Sequence, residues 1–209
     1  PRLETVYAHY RRNLIDIVDT LQDKGAHVIL STVPVNLRQS APFASPEPEQ
    51  LTEQQIERLQ TLSAAAAGRA ARQDWQGAVS YYSEALELAP RHADTIFGLA
   101  SAQEHSGDYD AAANHYIDAL DYDALRFRAD SRINGIIRDV ATSATSAQLT
   151  FVDSDLAFKR SSEPFSPGWD LFYEHVHYNF AGDYLLAREF TRAILDRLGV
   201  QPSDLLPQV

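Results

Sequence analysis

Residue types able to do acid–base chemistry lie together near the end of the chain, within residues 172–182. A carboxylate, Glu174, precedes the imidazole of His177 by three residues, and Asn179 and Gly182 follow where an amphipathic stretch begins. A carboxylate that holds an imidazole orients the ring and supports its action as a general base. We therefore predict His177 as a catalytic base and Glu174 as its orienting acid. A nucleophile for this pair is not evident in the 209 residues.

Each of these side chains also has a structural interpretation. Glu174 could be a solvated or helix-capping carboxylate, and His177 a structural histidine at a helix entry. His175 is expected to point away from the pair, as a surface residue. Glu174, His175 and His177 could also offer metal ligands at close spacing, since two imidazoles in a His-x-His strand share one face. A catalytic zinc site needs three protein ligands, however, and the sequence places no third ligand nearby. We predict no metal site and no cofactor.

Four polar side chains are candidates for substrate binding. Asn36 and Arg38 follow an apolar, strand-like run, and loops after parallel strands are where α/β proteins place ligands. Arg126 and Arg128 lie in a charged run, 121–128, in which a guanidinium could hold an anionic group bidentately. The alternative for that run is an ion-paired helical face that contributes little energy.

Composition excludes several classes of function. The formal charge is −11, which argues against nucleic acid or an anionic membrane surface as the main partner. The absence of cysteine excludes disulfides, thiolate zinc sites and cysteine nucleophiles, and it leaves the compartment open. No apolar run approaches the roughly 20 residues that span a bilayer. The chain has no Met and begins at Pro1, so we expect the natural protein to extend further toward the N-terminus.

The two ends of the chain have an α/β pattern. Apolar residues recur at helical spacing over 3–24, and a short β-branched run over 27–34 predicts a buried strand of a parallel sheet. Residues 132–143 predict a helix, 148–153 a second buried strand and 181–198 a closing amphipathic helix. We assign 1–48 and 145–209 to one α/β part.

The middle of the chain, 49–144, predicts a helical insertion with an internal repeat. Trp75, Ala78, Tyr82 and Ala85 have counterparts 34 residues later, and Ile96 follows Leu62 at the same offset. The counterparts of the first four are Tyr109, Ala112, Tyr116 and Ala119. That period matches the tetratricopeptide repeat (TPR). Since two units rarely stand alone, we expect 50–62 and 129–144 to cap them. Pro90 ends the first unit, whereas Ala124 in the second lets the helix run on.

Several blocks in order resemble a known family: 28–37, Pro42-Phe43, the repeat region, 121–128 and 171–177 with Asn179 and Gly182. They look like the C-terminal half of bacterial SGNH/GDSL-type hydrolases with a TPR insertion. The resemblance implies a flavodoxin-like parallel sheet, incomplete at its N-terminal side, and gives His177 the place of the catalytic histidine. Glu174 stands where the family usually has Asp. The Gly-Asp-Ser block and the Gly/Asn block are absent, and Asn36 is not assigned an oxyanion role.

Two functions follow as hypotheses. The first is the C-terminal part of a serine hydrolase that acts on a small acyl or ester substrate, with the nucleophilic Ser upstream of this chain. The second is a non-catalytic TPR module on a degenerate hydrolase scaffold, which binds a protein partner at the TPR surface. In either case an incomplete sheet would expose apolar faces and edges, so we expect a partner chain, self-association or further residues to cover them.

Overall fold

The computed structural model describes residues 2–46, 48–144, 147–163 and 165–200. Within these ranges the chain forms eight α-helices and one sheet of two parallel strands. None of the described helices is long and apolar enough to cross a membrane. In chain order the elements are α1 (Arg2–Asp23), β1 (Val28–Ser31), α2 (Glu53–Ala70), α3 (Trp75–Leu88), α4 (Ala93–Ser106), α5 (Tyr109–Tyr122), α6 (Ser131–Ser143), β2 (Leu149–Val152), α7 (Ser154–Ser161) and α8 (Phe180–Leu198).

The sheet is much smaller than the predicted flavodoxin-like one. β1 pairs with β2 over four residues, with Val28 opposite Leu149 and Ser31 opposite Val152. The first strand stops early because Thr32 turns its hydroxyl to Asp153, at 2.9 Å. The backbone N–H of Val33 then donates to the side-chain oxygen of Asn134 at 2.8 Å, and its carbonyl accepts from the side-chain nitrogen at 3.0 Å. The described chain is therefore mostly helical, and a flavodoxin-like sheet is not seen.

The helices on one face of the sheet provide its hydrophobic core. Leu30 of β1 packs with Tyr7 of α1 and with Ile136, Ile137 and Val140 of α6. An open cavity of about 310 Å³ separates the other face from the end of α8. We expected α6 to cap the repeats, but it packs mainly against α1 and the sheet because its apolar side chains enter this core.

The repeat region is a run of four helices in which each packs on the next. An aspartate caps the start of each second helix. Asp74 accepts from the backbone N–H of Gly77 in α3, and Asp108 accepts from that of Ala111 in α5. Gly98 of α4 faces the ring of Tyr82, where a Cβ would lie 2.5 Å from the ring. The 34-residue offset thus corresponds to two stacked helical hairpins, α2–α3 and α4–α5, and 53–70 is a full repeat helix rather than a separate cap.

The expected run-on of α5 past Tyr122 is wrong. The helix ends there because the carboxylate of Asp123 accepts from the backbone N–H groups of Phe43, Ala44 and Leu125, at 2.9–3.1 Å. These bonds draw the chain away from the helical path.

The second hairpin has no further repeat beside it, and the chain's own segments cover its free side. We call the six buried residues here the terminal cluster: Val35, Leu37, Ala100, Ala112, Tyr116 and Leu120. Val176 packs against it from the segment that holds Glu174 and His177. Because helical repeats need a neighbour on their apolar face, the loop after β1 and Val176 take the place of a further repeat. This cap was not predicted from the sequence.

Candidate functional site

The segment between α7 and α8 brings Glu174 and His177 together. Oε1 of Glu174 lies 2.5 Å from Nδ1 of His177 and accepts the backbone N–H of His177 at 2.6 Å. An ionised carboxylate only accepts hydrogen bonds, so Nδ1 carries the proton and Nε2 is the basic nitrogen. The side chain of His177 is 80% exposed and that of Glu174 is 39% exposed. The pair is thus formed and open to solvent.

Two independent attachments hold this segment. The buried amide of Asn36 donates to the carbonyl of Glu174 at 3.1 Å, and the N–H of Asn36 donates to the carbonyl of His175 at 3.0 Å. On the other side, the N–H of Tyr173 donates to the carbonyl of His177. Asn179 then caps α8 by accepting from two backbone N–H groups, 2.9 and 3.1 Å away. The loop is therefore fixed at both ends, by Asn36 from the loop after β1 and by Asn179 at the start of α8.

His175 belongs to the same cluster, contrary to the expectation that it points away. Its Nδ1 contacts the second carboxylate oxygen of Glu174. Partial burial, with the nearby positive charges of Arg128 and His177, lowers the pKa of His175 below its ordinary value. Across the described ranges, no group of three or more His, Asp or Glu side chains is arranged to hold a metal ion.

Exposed aromatic rings border the cluster. The ring of Phe43 meets the ring of His175 edge to face at 5.0 Å and that of Phe127 at 5.2 Å. Phe43 is 42% exposed and Phe127 63% exposed. No sequence pattern indicates this patch beyond the presence of Phe43 in a loop, because Phe43 and Phe127 are 84 residues apart. The arrangement places an apolar surface beside an acid–imidazole pair.

Two of the predicted binding residues are buried and hydrogen-bonded within the protein, although the buried Nε of Arg128 has no partner among the described residues. Asn36 has no exposed surface and, besides holding the Glu174 segment, accepts from the N–H of Gln39. Arg128 is paired with Asp123 and donates to the carbonyls of Asn36 and Ser40, at 2.9 and 2.7 Å. A ligand could reach either side chain only by displacing these bonds. Neither side chain is open to a substrate in this fold, and the predicted substrate-binding role of both stays a prediction.

The other two arginines are also occupied by the protein. Arg38 donates to the carbonyl of Glu163 at 2.6 Å and lies 3.3 Å from Asp170. Arg126 donates to Asp130 at 2.5 Å and to the carbonyl of Asp121 at 2.7 Å. Neither side chain is brought to the Glu174–His177 pair by a hydrogen bond. Their predicted role in substrate binding stays a prediction.

A second polar cluster, which the sequence did not reveal, lies at the carboxyl end of the two strands. Arg138 donates to both oxygens of Asp153 at 2.8 Å and to Asp155 at 2.7 Å, and Lys159 also reaches Asp155. Burial opposes ionisation of Asp153, but the bonds from Arg138, from the N–H of Leu156 and from Thr32 outweigh it and hold its pKa below the ordinary value. The charges are satisfied internally, so this cluster joins α6 to the sheet rather than forming a binding site.

Comparison with known proteins bears on the helical part. A family model described as tetratricopeptide repeat matches residues 69–130, from the end of α2 to the loop before α6. No curated protein and no solved structure matches the chain. The TPR interpretation of the middle of the chain is confirmed, whereas no comparison supports the resemblance to SGNH/GDSL-type hydrolases. What the chain is shown to carry is a tetratricopeptide repeat region, joined to a small α/β part.

Proposed function

We propose that this chain is a protein-interaction module built on its TPR hairpins. The observation that carries the proposal is the TPR match over 69–130 together with the stacking of α2 to α5 as two hairpins. Helical-repeat arrays bind partners along an extended surface that several repeats share. Here the terminal cluster is already covered by the chain's own loop, so a partner binds along the side of the hairpins.

Site-specific photo-crosslinking tests this proposal. Ala67 on α2 and Ala187 on α8 are both exposed alanines in helices, so a photoreactive phenylalanine analogue at either position is tolerated. We expect the analogue at Ala67 to trap one defined protein in the native cell and the analogue at Ala187 to trap none. The trapped protein, once purified, should bind the unmodified chain in solution. Identical cross-linking from both positions, or none from Ala67, would contradict the proposal.

A second candidate function is acyl or ester hydrolysis, and one observation favours it. The hydrogen bond between Glu174 and His177 leaves Nε2 of His177 exposed, as a general base requires. The apolar part of a substrate would lie over Phe43 and Phe127. Within the described ranges no Ser or Thr hydroxyl is hydrogen-bonded to His177, so this function needs a nucleophile from elsewhere.

A serine-directed fluorophosphonate probe separates the two functions. It should be applied to this 209-residue chain and to the longest natural product of its gene, each with His177→Ala and His9→Ala variants. His9 is an exposed histidine on α1 and serves as the matched control. Hydrolysis predicts labelling of the long form that His177→Ala abolishes and His9→Ala preserves. The absence of labelling in every form would exclude it.

A further inference from the structure

A cleft of about 540 Å³ lies at the junction between the TPR hairpins and the α/β part. Its walls are Arg38 from the loop after β1, Glu104 and His105 from the end of α4, Tyr109 from the start of α5, and Glu163 from the loop after α7. The volume falls in the range of ligand-binding clefts, about 300–1,000 Å³. The cleft is separate from the Glu174–His177 pair, since none of its lining residues belongs to that cluster.

The single cation in this wall is already neutralised. Arg38 is only 16% exposed and faces Glu104 at 3.5 Å, Asp170 at 3.3 Å and the carbonyl of Glu163 at 2.6 Å. Glu104 in turn accepts from the hydroxyl of Tyr116 at 2.7 Å. Arg38 therefore holds the cleft together and does not attract an anion into it.

The groups that remain available in the cleft favour a cation. The carboxylate of Glu163 makes no hydrogen bond or ion pair with any residue in the described ranges. Tyr109 is 53% exposed, so its ring face is open. His105 stacks on Trp75, with ring centroids 4.2 Å apart, and its Nδ1 donates to the carbonyl of Ser101. An open carboxylate beside an open aromatic face recognises an ammonium or guanidinium group.

The charge of the surrounding hairpins points the same way. Residues 73–125 contain ten Asp and Glu residues, no Lys and a single Arg. Ten acids and one Arg give this segment a net charge of −9, out of −11 for the whole chain, and its potential draws cations toward the cleft. Charge complementarity thus selects a basic partner over an acidic one.

We propose that the cleft binds a basic segment of a protein partner, with a Lys or Arg side chain seated between Tyr109 and Glu163. This inference rests on the proposed interaction function and specifies where the partner is held and what chemistry it presents. The stacked Trp75 lies in the wall behind His105, so the fluorescence of its indole reports occupancy of the cleft.

A capped octapeptide of alternating Lys and Gly is the probe, with a Glu/Gly peptide of equal length for comparison. The chain has two tryptophans, and a Trp169→Phe background leaves Trp75 as the only reporter. We expect the Lys peptide to change Trp75 fluorescence saturably and the Glu peptide to have no effect. Glu163→Gln and Tyr109→Ala should each weaken binding about tenfold, the equivalent of one charged or cation–π contact. Calorimetry without the tryptophan change should give the same affinities.

Glu57→Gln is the matched control, because Glu57 is an exposed acid on α2 outside the cleft. Less than a twofold change is expected there. If Glu57→Gln and Glu163→Gln weaken binding of the Lys peptide equally, the peptide is attracted by net charge alone. That result would contradict binding in the cleft. The two proposals fail in different ways. If a partner cross-linked at Ala67 binds wild type and Glu163→Gln equally, the chain is still an interaction module, but the cleft is not where the partner binds.

Discussion

The guanidinium group of Arg128 lies 3.3 Å from the carboxylate of Asp123, and both side chains are only 2% exposed. The pair joins the end of α5 to the loop after β1, because each partner also bonds the backbone of that loop. Burial lowers the pKa of Arg128, while the contact with Asp123 opposes that shift. The buried ion pair after α5 thus anchors the loop after β1 through backbone groups of that loop.

Removing one member of this pair should be strongly destabilising. Arg128→Ala leaves the carboxylate of Asp123 buried without its countercharge, at an expected cost of roughly 3–5 kcal/mol in the free energy of unfolding. Urea denaturation followed by circular dichroism measures it. Arg58→Ala is the control, because the Arg58–Glu84 pair is about half exposed on both sides and should contribute at most about 1 kcal/mol. Similar losses for the two variants would contradict the assigned role of Arg128.

The cap of the TPR hairpins can be tested at Leu37. This side chain is 3% exposed in the terminal cluster, and Leu37→Ala should cost roughly 2–5 kcal/mol by leaving a cavity. Hydrogen exchange should accelerate in α4 and α5 more than in α2 and α3. Leu21→Ala, at a largely exposed position on α1, should alter stability by no more than about 0.5 kcal/mol. Uniform acceleration across all four repeat helices would argue against a local cap.

Substitution of two helical glycines by alanine should change the free energy of unfolding in opposite directions. A Cβ at Gly182 would lie 2.2 Å from the carbonyl oxygen of Leu171, a backbone atom, so Gly182→Ala must displace α8 from the His177 segment. We expect a loss of about 1–3 kcal/mol. Gly68 on α2 has nothing within 4 Å, and Gly68→Ala should gain about 0.5–1 kcal/mol from helix propensity. Thermal melts of the two variants, compared with wild type, check both signs.

Acid should weaken the contact between α6 and the sheet. The folded-state pKa of Asp153 is depressed, so its stabilisation is fully present above the unfolded value near 3.8 and is lost as the pH falls through the folded value. The free energy of unfolding, measured between pH 2 and 7, should therefore fall as the pH drops below about 4. Asp153→Asn should be less stable at pH 7 and show a shallower fall. An unchanged slope in this variant would show that other carboxylates dominate.

The small sheet predicts self-association. Among the described residues it has two strands, and α1 exposes Val6, Ile17 and Leu21 beside the helix stripe that packs on the core. Sedimentation velocity across micromolar concentrations should show reversible association, and Ile17→Lys should reduce it. A monodisperse, stable monomer at every concentration would contradict this prediction.

Local patterns predicted most of the helices, whereas contacts between distant parts of the chain decided the rest. The periodicity over 3–24 and 181–198 corresponds to α1 and α8 within a residue or so, and Gly199 ends α8 in the left-handed conformation. The Glu174–His177 contact is also local. In contrast, the strand predicted over 27–34 is shortened by bonds to Asp153 and Asn134, more than 100 residues away. Phe43 and Asn36 reach the candidate site across similar separations, which no spacing rule reveals.

The covered end of the hairpins has a consequence for how this region could be moved between proteins. The repeat match stops at residue 130, but a fragment cut there would lose Val35, Leu37 and Val176 and would expose the apolar side of α4 and α5 to water. The repeat unit defined by sequence is therefore smaller than the unit that can fold. Transfer of residues 69–130 alone would leave the terminal cluster uncovered, so we expect the hairpins to fold in a new protein only when the segments that close them are moved with them.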